Sequence, residues 1–484
     1  MTQTCEERPT LVQRALQGHA AIGLLAGALL YIISLSGAIV VIHDRWQRWE
    51  EPNVVEISAL SPGAAQTAMT SALASEKDKP QTTHLFIRMP TDDLPRSVVT
   101  TDNAAWYVDD AGRIAGREGH AWTEFVIALH AYLNLPMIAG LILVGALGVA
   151  MAALVVTGVL AHPRIIRDAF RLRMRHDSQI ARADWHNRLG TWTLPWVLAI
   201  ALTGAFIGLA SVGASLLAQT YTGGDLDKIY APIFGDEPPA NAAPAPLANI
   251  ERALETLATR APQASPTYVV VHEPGTMGQH VQIIAEHPRR LIYGETYAFD
   301  PLGNWLGPVG LSDGPVGKQF AASTYNLHFG NFAGLPVEIA YMILGLALCI
   351  VTATGTSLWL QKRRRRGLGG DRLSACWAVI VWGTPLALVA LTWLRALAGP
   401  DAPLAAAFWV VLAAGLLIAA KKPAWISPDH LRLSVFCSVI ATALLHLALF
   451  RPTAPGVIAI DGIAILLASA AIYGCAHFRR PASD

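Results

Sequence analysis

At 484 residues, with 53% apolar and only 15% charged side chains and a mean hydropathy of +0.39, the chain does not have the composition of a soluble globular protein. Its net charge of +1 says little, because the charges are segregated along the chain rather than absent. The five cysteines (Cys5, Cys349, Cys376, Cys437 and Cys475) fall in the N-terminal tail or in apolar runs and form no CxxC or CxxCH pattern, which excludes a disulfide-held exterior and covalent haem attachment.

In chain order the sequence reads as a cytoplasmic tail (1–17), a first span (18–43), a polar domain (44–122), a second span (123–162), a loop (163–185) and a third span (186–216). A second polar domain (217–322), a fourth span (323–361), a basic loop (362–372), four further spans (373–477) and a short tail (478–484) follow. The expected fold class is a mainly α-helical membrane protein of eight spans, in which two two-helix units each carry an extracytoplasmic α+β domain. The first apolar segment is full length and lacks a small-residue cleavage site, so no cleavable signal is expected. The segments "HPRIIRDAFRLRMRH", "QKRRRRG", "KKP" and "HFRR" hold most of the juxtamembrane Lys and Arg, and all lie on one side if every segment spans. Both termini are then cytoplasmic, in a bacterial inner membrane, and the polar domains face outward. Trp46, Trp49, Trp122 and Trp192 read as interfacial aromatics, and "KRRRR" at 362–366 as a lipid anchor rather than a nucleic-acid contact.

The first and third spans repeat one pattern. His19 and Gly23 align with His186 and Gly190, and Ser36-Gly37-Ala38 with Thr203-Gly204-Ala205. Each histidine precedes its second glycine by 18 residues, which is about five turns at 3.6 residues per turn and puts these positions on one face. The second and fourth spans echo each other more loosely: "LHAYLNLP" and "LHFGNFAGLP" pair His130 with His328 and Pro136 with Pro336, and Thr157-Gly158 matches Thr354-Gly355. The polar domains share an order as well. Helical stretches at 61–75 and 247–260 precede extended runs, and Asp109 with Gly112, or Asp300 with Gly303, marks a turn after a strand.

Topology puts His19 and His186 at one shallow depth inside, and His130 and His328 at the opposite rim. Ionisable residues within spans are costly and tend to face a cavity. Two neutral imidazoles facing each other between helices suit the axial positions of a b-type haem, and a glycine one turn away removes a side chain that would meet the ring. The competing account has all four histidines snorkelling or hydrogen bonding at the interface. His43 and His162 have no counterpart in the repeat and are read as interface residues, and His446 as a hydrogen-bonded core residue. His84, His120, His272, His280 and His287 match no zinc spacing and read as solvated surface.

The HxxxG and [Ser/Thr]-Gly spans, the "LHFG" start of the fourth, and the two exterior domains resemble the PepSY-associated transmembrane proteins, also called iron-regulated membrane proteins, which include siderophore ferric reductases. The resemblance covers residues 10–362, with Ser36 standing where the family has Thr, and leaves the last four spans unexplained. It implies two b-type haems, on His19 with His186 and on His130 with His328, passing electrons outward to a ferric siderophore or other Fe(III) chelate. No segment reads as a nicotinamide or flavin domain, so a cytoplasmic reductase or the quinone pool is expected as electron donor. The alternatives are a transporter of iron complexes or other solutes and a non-catalytic module whose exterior domains bind a peptide or peptidase.

Overall fold

Helices account for most of the chain, and their order follows the apolar segments. The structure, a computed structural model, describes residues 10–170, 178–234, 241–287, 291–292 and 294–477. Cys5, residues 171–177 of the basic loop and the tail at 478–484 lie outside the described residues. The helices are α1 (Leu11–Val40), α2 (His43–Glu50), α3 (Pro62–Ser75), α4 (Ala121–Tyr132), α5 (Met137–Ala161), α6 (Ile165–Asp168), α7 (Ser178–Trp192), α8 (Leu194–Tyr221) and α9 (Asp227–Phe234). They continue with α10 (Ile250–Arg260), α11 (Val316–Phe329), α12 (Leu335–Arg365), α13 (Asp371–Ala378), α14 (Thr384–Ala398), α15 (Leu404–Lys421), α16 (Pro428–Phe450) and α17 (Pro455–His477). Eight helical segments among the described residues are long and apolar enough to cross a bilayer. The protein is a multi-pass membrane protein.

The chain divides into two units. The helical one comprises Met1–His43, Ala121–Leu209 and Glu338–Asp484. In it, Thr10 and Gln13 form a capping box at the start of α1. Where α5 meets α8, small residues let the backbones touch: a Cβ on Gly208 would lie 2.8 Å from the Cα of Gly145, and one on Gly148 2.9 Å from the amide of Ala205. The segment at 123–162, read as one span, is two helices. Leu133 and Asn134 take left-handed φ values of 56° and 52° after α4, and Pro136 starts α5. The Leu133 carbonyl freed at this break accepts the indole N–H of Trp409, 3.1 Å away.

Three further aromatic donors tie the C-terminal helices to the earlier ones. Trp122 donates to the carbonyl of Leu388 at 3.0 Å, Trp377 to that of Ala353 at 3.1 Å, and Tyr31 to that of Val381 at 2.8 Å. Trp122 is therefore a core residue rather than the interfacial aromatic expected. The Tyr31 bond has a covalent cause: Pro385 has no N–H to give the Val381 carbonyl its i→i+4 partner, and residues Val379–Gly383 widen into a π-turn.

The second unit, Asp44–His120 with Ala210–Val337, contains the sheet. Its strands are β1 (His84–Arg88), β2 (Ser97–Thr100), β3 (Ala105–Val108), β4 (Ile114–Arg117), β5 (Ser265–His272), β6 (His280–Glu286), β7 (Glu295–Phe299) and β8 (Trp305–Pro308). The order β4-β3-β2-β1-β5-β6-β7-β8 makes one antiparallel sheet from both polar segments, joined by β1 and β5. Each half is a meander with a helix before it, and α3 and α10 pack over one face on a core that includes Met69, Leu85, Val271, Ile283 and Phe299. The Asp-to-Gly turns form as the sequence predicts. Gly112 and Gly303 take φ values of 77° and 78°, and the carboxylates of Asp109 and Asp300 accept the amides of the turn. No side chain fits at Gly303, because a Cβ there would lie 2.8 Å from the Asn249 carbonyl at the start of α10.

The histidines of this unit correct the surface reading. Only His84 is exposed. His120 is buried 2.8 Å from the Glu118 carboxylate, His280 is buried, and His272 is half-buried between His84 and His280.

Replacing Tyr31 with Phe leaves the Val381 carbonyl without that donor and is expected to lower stability by about 0.6 kcal/mol, the average for hydrogen bonds between membrane helices, and by no more than about 1.7; reversible unfolding in mixed micelles checks it. In the sheet, burial and the neighbouring imidazoles push His272 down to about 4 from its ordinary 6.5. Between those values the unfolded chain takes up a proton that the native ring refuses, so stability falls as pH drops through this window. Protection factors for amide exchange at β1, β5 and β6, that is, rates corrected for the intrinsic pH dependence of exchange, should fall from pH 7 to pH 5, and His272→Gln should remove most of that dependence.

Candidate functional site

Three of the four histidines singled out by the repeat lie in the helical unit, and each is held by the same local device. His19 lies in the third turn of α1, and its Nδ1 sits 3.0 Å from the Leu154 carbonyl of α5. His186 on α7 sits 2.9 Å from the Val351 carbonyl of α12. His130 on α4 sits 3.0 Å from the Ile33 carbonyl of α1. A carbonyl only accepts, so Nδ1 carries the proton in each ring and Nε2 keeps its lone pair.

The residue four positions after each accepting carbonyl is a glycine: Gly158 after Leu154, Gly355 after Val351, and Gly37 after Ile33. These are the glycines of the [Ser/Thr]-Gly pairs, and they explain the pairs. A Cβ on Gly355 would fall 2.9 Å from Cε1 of His186, one on Gly158 3.3 Å from Cε1 of His19, and one on Gly37 2.7 Å from Cε1 of His130. The missing side chain lets an imidazole reach a carbonyl that is already part of a helix. At Thr157 the preceding hydroxyl donates to the Ala153 carbonyl and leaves its oxygen 3.3 Å from His19 Nδ1, a second acceptor for the same proton.

The structure brings His19 and His186 together. Their ring centres stand 6.1 Å apart with the planes at 79°. Both rings line a cavity of about 490 Å³ between α1, α5, α7, α8 and α12, within the range of roughly 300–1,000 Å³ for small-molecule and cofactor sites. Its walls are mainly apolar, with Leu30, Leu154, Met151 and Leu348 among them. Gly23 and Gly190, the glycines one turn after each histidine, also line it. A Cβ on Gly190 would meet nothing within 4 Å, and one on Gly23 only Leu154 at an ordinary 3.7 Å, so neither glycine is required by crowding from the protein itself. His162, read as an interface residue, lines the same cavity. Beside His186, Asp184 and Arg188 are buried and 3.7 Å apart on α7.

His328 belongs to the other unit. It is half-buried on α11, its ring edge-on to Phe329 at 5.9 Å. His446 is hydrogen-bonded in the core, as expected, and its partner is one the sequence pattern does not name: Asp461 of α17, whose Oδ2 lies 2.7 Å from His446 Nδ1, both side chains buried. The signal was present as one acidic residue inside the apolar run at 456–476. The accepting carbonyls of Ile33, Leu154 and Val351 carry no signal of their own, because every residue has one; only the glycine four residues on marks them.

A sequence family described as the PepSY-associated TM region matches residues 16–362. A protein of Pseudomonas aeruginosa, named only as uncharacterized, is 30% identical over 249 residues. That stretch is 46% of this chain and 60% of the relative, so the chain covers less than two thirds of the relative's length.

The two kinds of glycine should respond differently to alanine. Gly355→Ala must displace the hydrogen-bonded His186 ring and is expected to destabilise by about 1–3 kcal/mol, as overpacking does. Gly190→Ala meets open space and gains up to about 1 kcal/mol of helix propensity. Unfolding of the ligand-free variants in micelles compares them directly.

Proposed function

The chain belongs to the family of PepSY-associated transmembrane regions, and from that premise we propose that it is a di-haem membrane oxidoreductase that reduces an Fe(III) chelate outside the cytoplasm. The observation that carries this reading is the His19–His186 pair. His19 and His186 would hold the iron of a haem between them: two imidazoles bound to one metal from opposite sides, with bonds of about 2 Å, would have ring centres roughly 6 Å apart, and these rings stand at 6.1 Å, each with Nδ1 given to a carbonyl. Gly23 and Gly190 keep the space in front of the rings clear for a flat macrocycle, and an apolar wall suits its body. When bound, a haem accepts and gives up one electron at a time.

The chain's own contributions are then specific. The Leu154 and Val351 carbonyls hold each imidazole in the tautomer and direction that ligation needs. The apolar lining restricts water, which raises the cost of charge at the site and tunes the potential at which an electron is held. The sequence repeat alone nominates His130 and His328 to hold a second haem, and His130 has the same carbonyl-held tautomer. Electrons enter from a cytoplasmic reductase or the quinone pool and leave to an Fe(III) chelate, one per iron. Reduction to the softer Fe(II) loosens oxygen ligands and frees the metal.

A second reading is favoured by one observation. The buried His446–Asp461 pair lies inside the C-terminal spans, and intramembrane ionisable pairs mark ion or solute paths. Solute uptake by vesicles containing haem-free protein supports that reading against the first.

The purified protein is expected to show b-type bands in its reduced-minus-oxidised spectrum and two haems per chain. His19→Ala and His186→Ala should each lose one of the two and stop chelate reduction by vesicles. A purified, folded protein without haem bands overturns the proposal.

A further inference from the structure

Strand pairing gathers three imidazoles that the sequence keeps apart. His84 of β1 stands opposite His272 of β5, which stands opposite His280 of β6. The ring centres of His84 and His272 are 5.1 Å apart with planes at 74°, and His280 lies flat against His272 at 4.2 Å. Leu85 and Val271 point into the core under α3 and α10, so the neighbouring His84 and His272 project from the opposite face of the sheet.

Both rings have a nitrogen that their surroundings leave available. The amide and hydroxyl of Thr83 donate to the Asp102 carboxylate at 2.6 and 2.9 Å. The Thr83 oxygen, with its proton so engaged, accepts from Nδ1 of His84 at 2.9 Å. This carboxylate–hydroxyl–imidazole relay fixes the tautomer with the lone pair on Nε2, as outer partners do for metal-binding histidines. Nε2 of His272 is buried with no hydrogen-bond partner, a rare condition for a polar atom in a folded protein. Two imidazoles on one tetrahedral ion, with bonds of about 2 Å, hold their ring centres roughly 5 Å apart.

We propose that His84 and His272 form a binding site for a divalent first-row transition-metal ion, with His280 stacked behind His272 as a wall. Among the described residues no group of three or more His, Cys, Asp or Glu is placed to hold an ion. The protein therefore supplies two ligands and water the rest, which makes the site one that loads and releases readily. Imidazole selects Fe(II), Zn(II), Ni(II) and Cu(II) and is a poor ligand for Mg(II) and Ca(II). The site goes beyond electron transfer and does not rest on it, since both ligands lie in the sheet-bearing unit.

Full-length protein in detergent, titrated with Zn(II), with Co(II) followed by absorption, and anaerobically with Fe(II), should bind one ion saturably and ignore Mg(II) and Ca(II). His84→Ala, on an exposed residue, and His272→Ala should each weaken binding at least about tenfold, and Thr83→Val to a smaller extent. His287→Ala should bind as the parent does. His19→Ala/His186→Ala protein, with the proposed inner haem site removed, should also bind normally, which separates this inference from the redox reading. Absence of saturable binding, or unchanged affinity in folded His84→Ala protein, overturns it.

Discussion

The helical unit depends on one repeated interaction, an imidazole N–H donated across a helix interface to a carbonyl that is already part of a helix. Three such bonds, from His19, His130 and His186, cross-link α1 to α5, α4 to α1, and α7 to α12. Each has a glycine four residues beyond the acceptor; a Cβ would collide with the ring at Gly37 and Gly355 and crowd it at Gly158. In a bilayer, where apolar contact with a neighbouring helix is little better than contact with lipid, such bonds and close backbone approaches set which helices pair. The same bond fixes the tautomer, so the contact that assembles the bundle also decides which ring nitrogen keeps its lone pair. Structure and chemistry share one atom pair.

The C-terminal helices obey a related rule. Four aromatic donors, Tyr31, Trp122, Trp377 and Trp409, tie them to the earlier helices, each by satisfying a particular main-chain carbonyl. Two of these carbonyls are orphaned by local covalent geometry, at the break after α4 and ahead of Pro385. In hydrocarbon an unsatisfied carbonyl costs several kcal/mol, which is why a broken helix here is accompanied by an aromatic donor from a distant part of the chain. Asp461 and His446 follow the same logic in side-chain form, each neutralising the cost of the other's burial.

The sheet-bearing unit shows how duplication is used. Each polar segment supplies a helix, a four-strand meander and an Asp-to-Gly turn, but its first strand would be an open edge if it stood alone. Antiparallel pairing of β1 with β5 covers both edges at once and gives the two segments one core. The seam also creates what neither half has. His84 comes from one segment and His272 from the other, so their adjacency exists only after the halves join.

What the sequence determined by itself follows from periodicity and from residue types with strong local consequences. Apolar length gives the eight spans, the His-x-x-x-Gly and [Ser/Thr]-Gly repeats give three of the positions where rings seat, and Asp-to-Gly spacing gives the hairpin turns, because each is decided by a few neighbouring residues. The tertiary structure alone decided which carbonyl each histidine reaches, that Trp122 is buried, that the polar segments share one sheet, and that His84 meets His272. Those outcomes depend on backbone atoms that every residue possesses and on strand register between segments nearly two hundred residues apart, and beyond the glycines that make room for the rings neither leaves a mark in the order of the side chains.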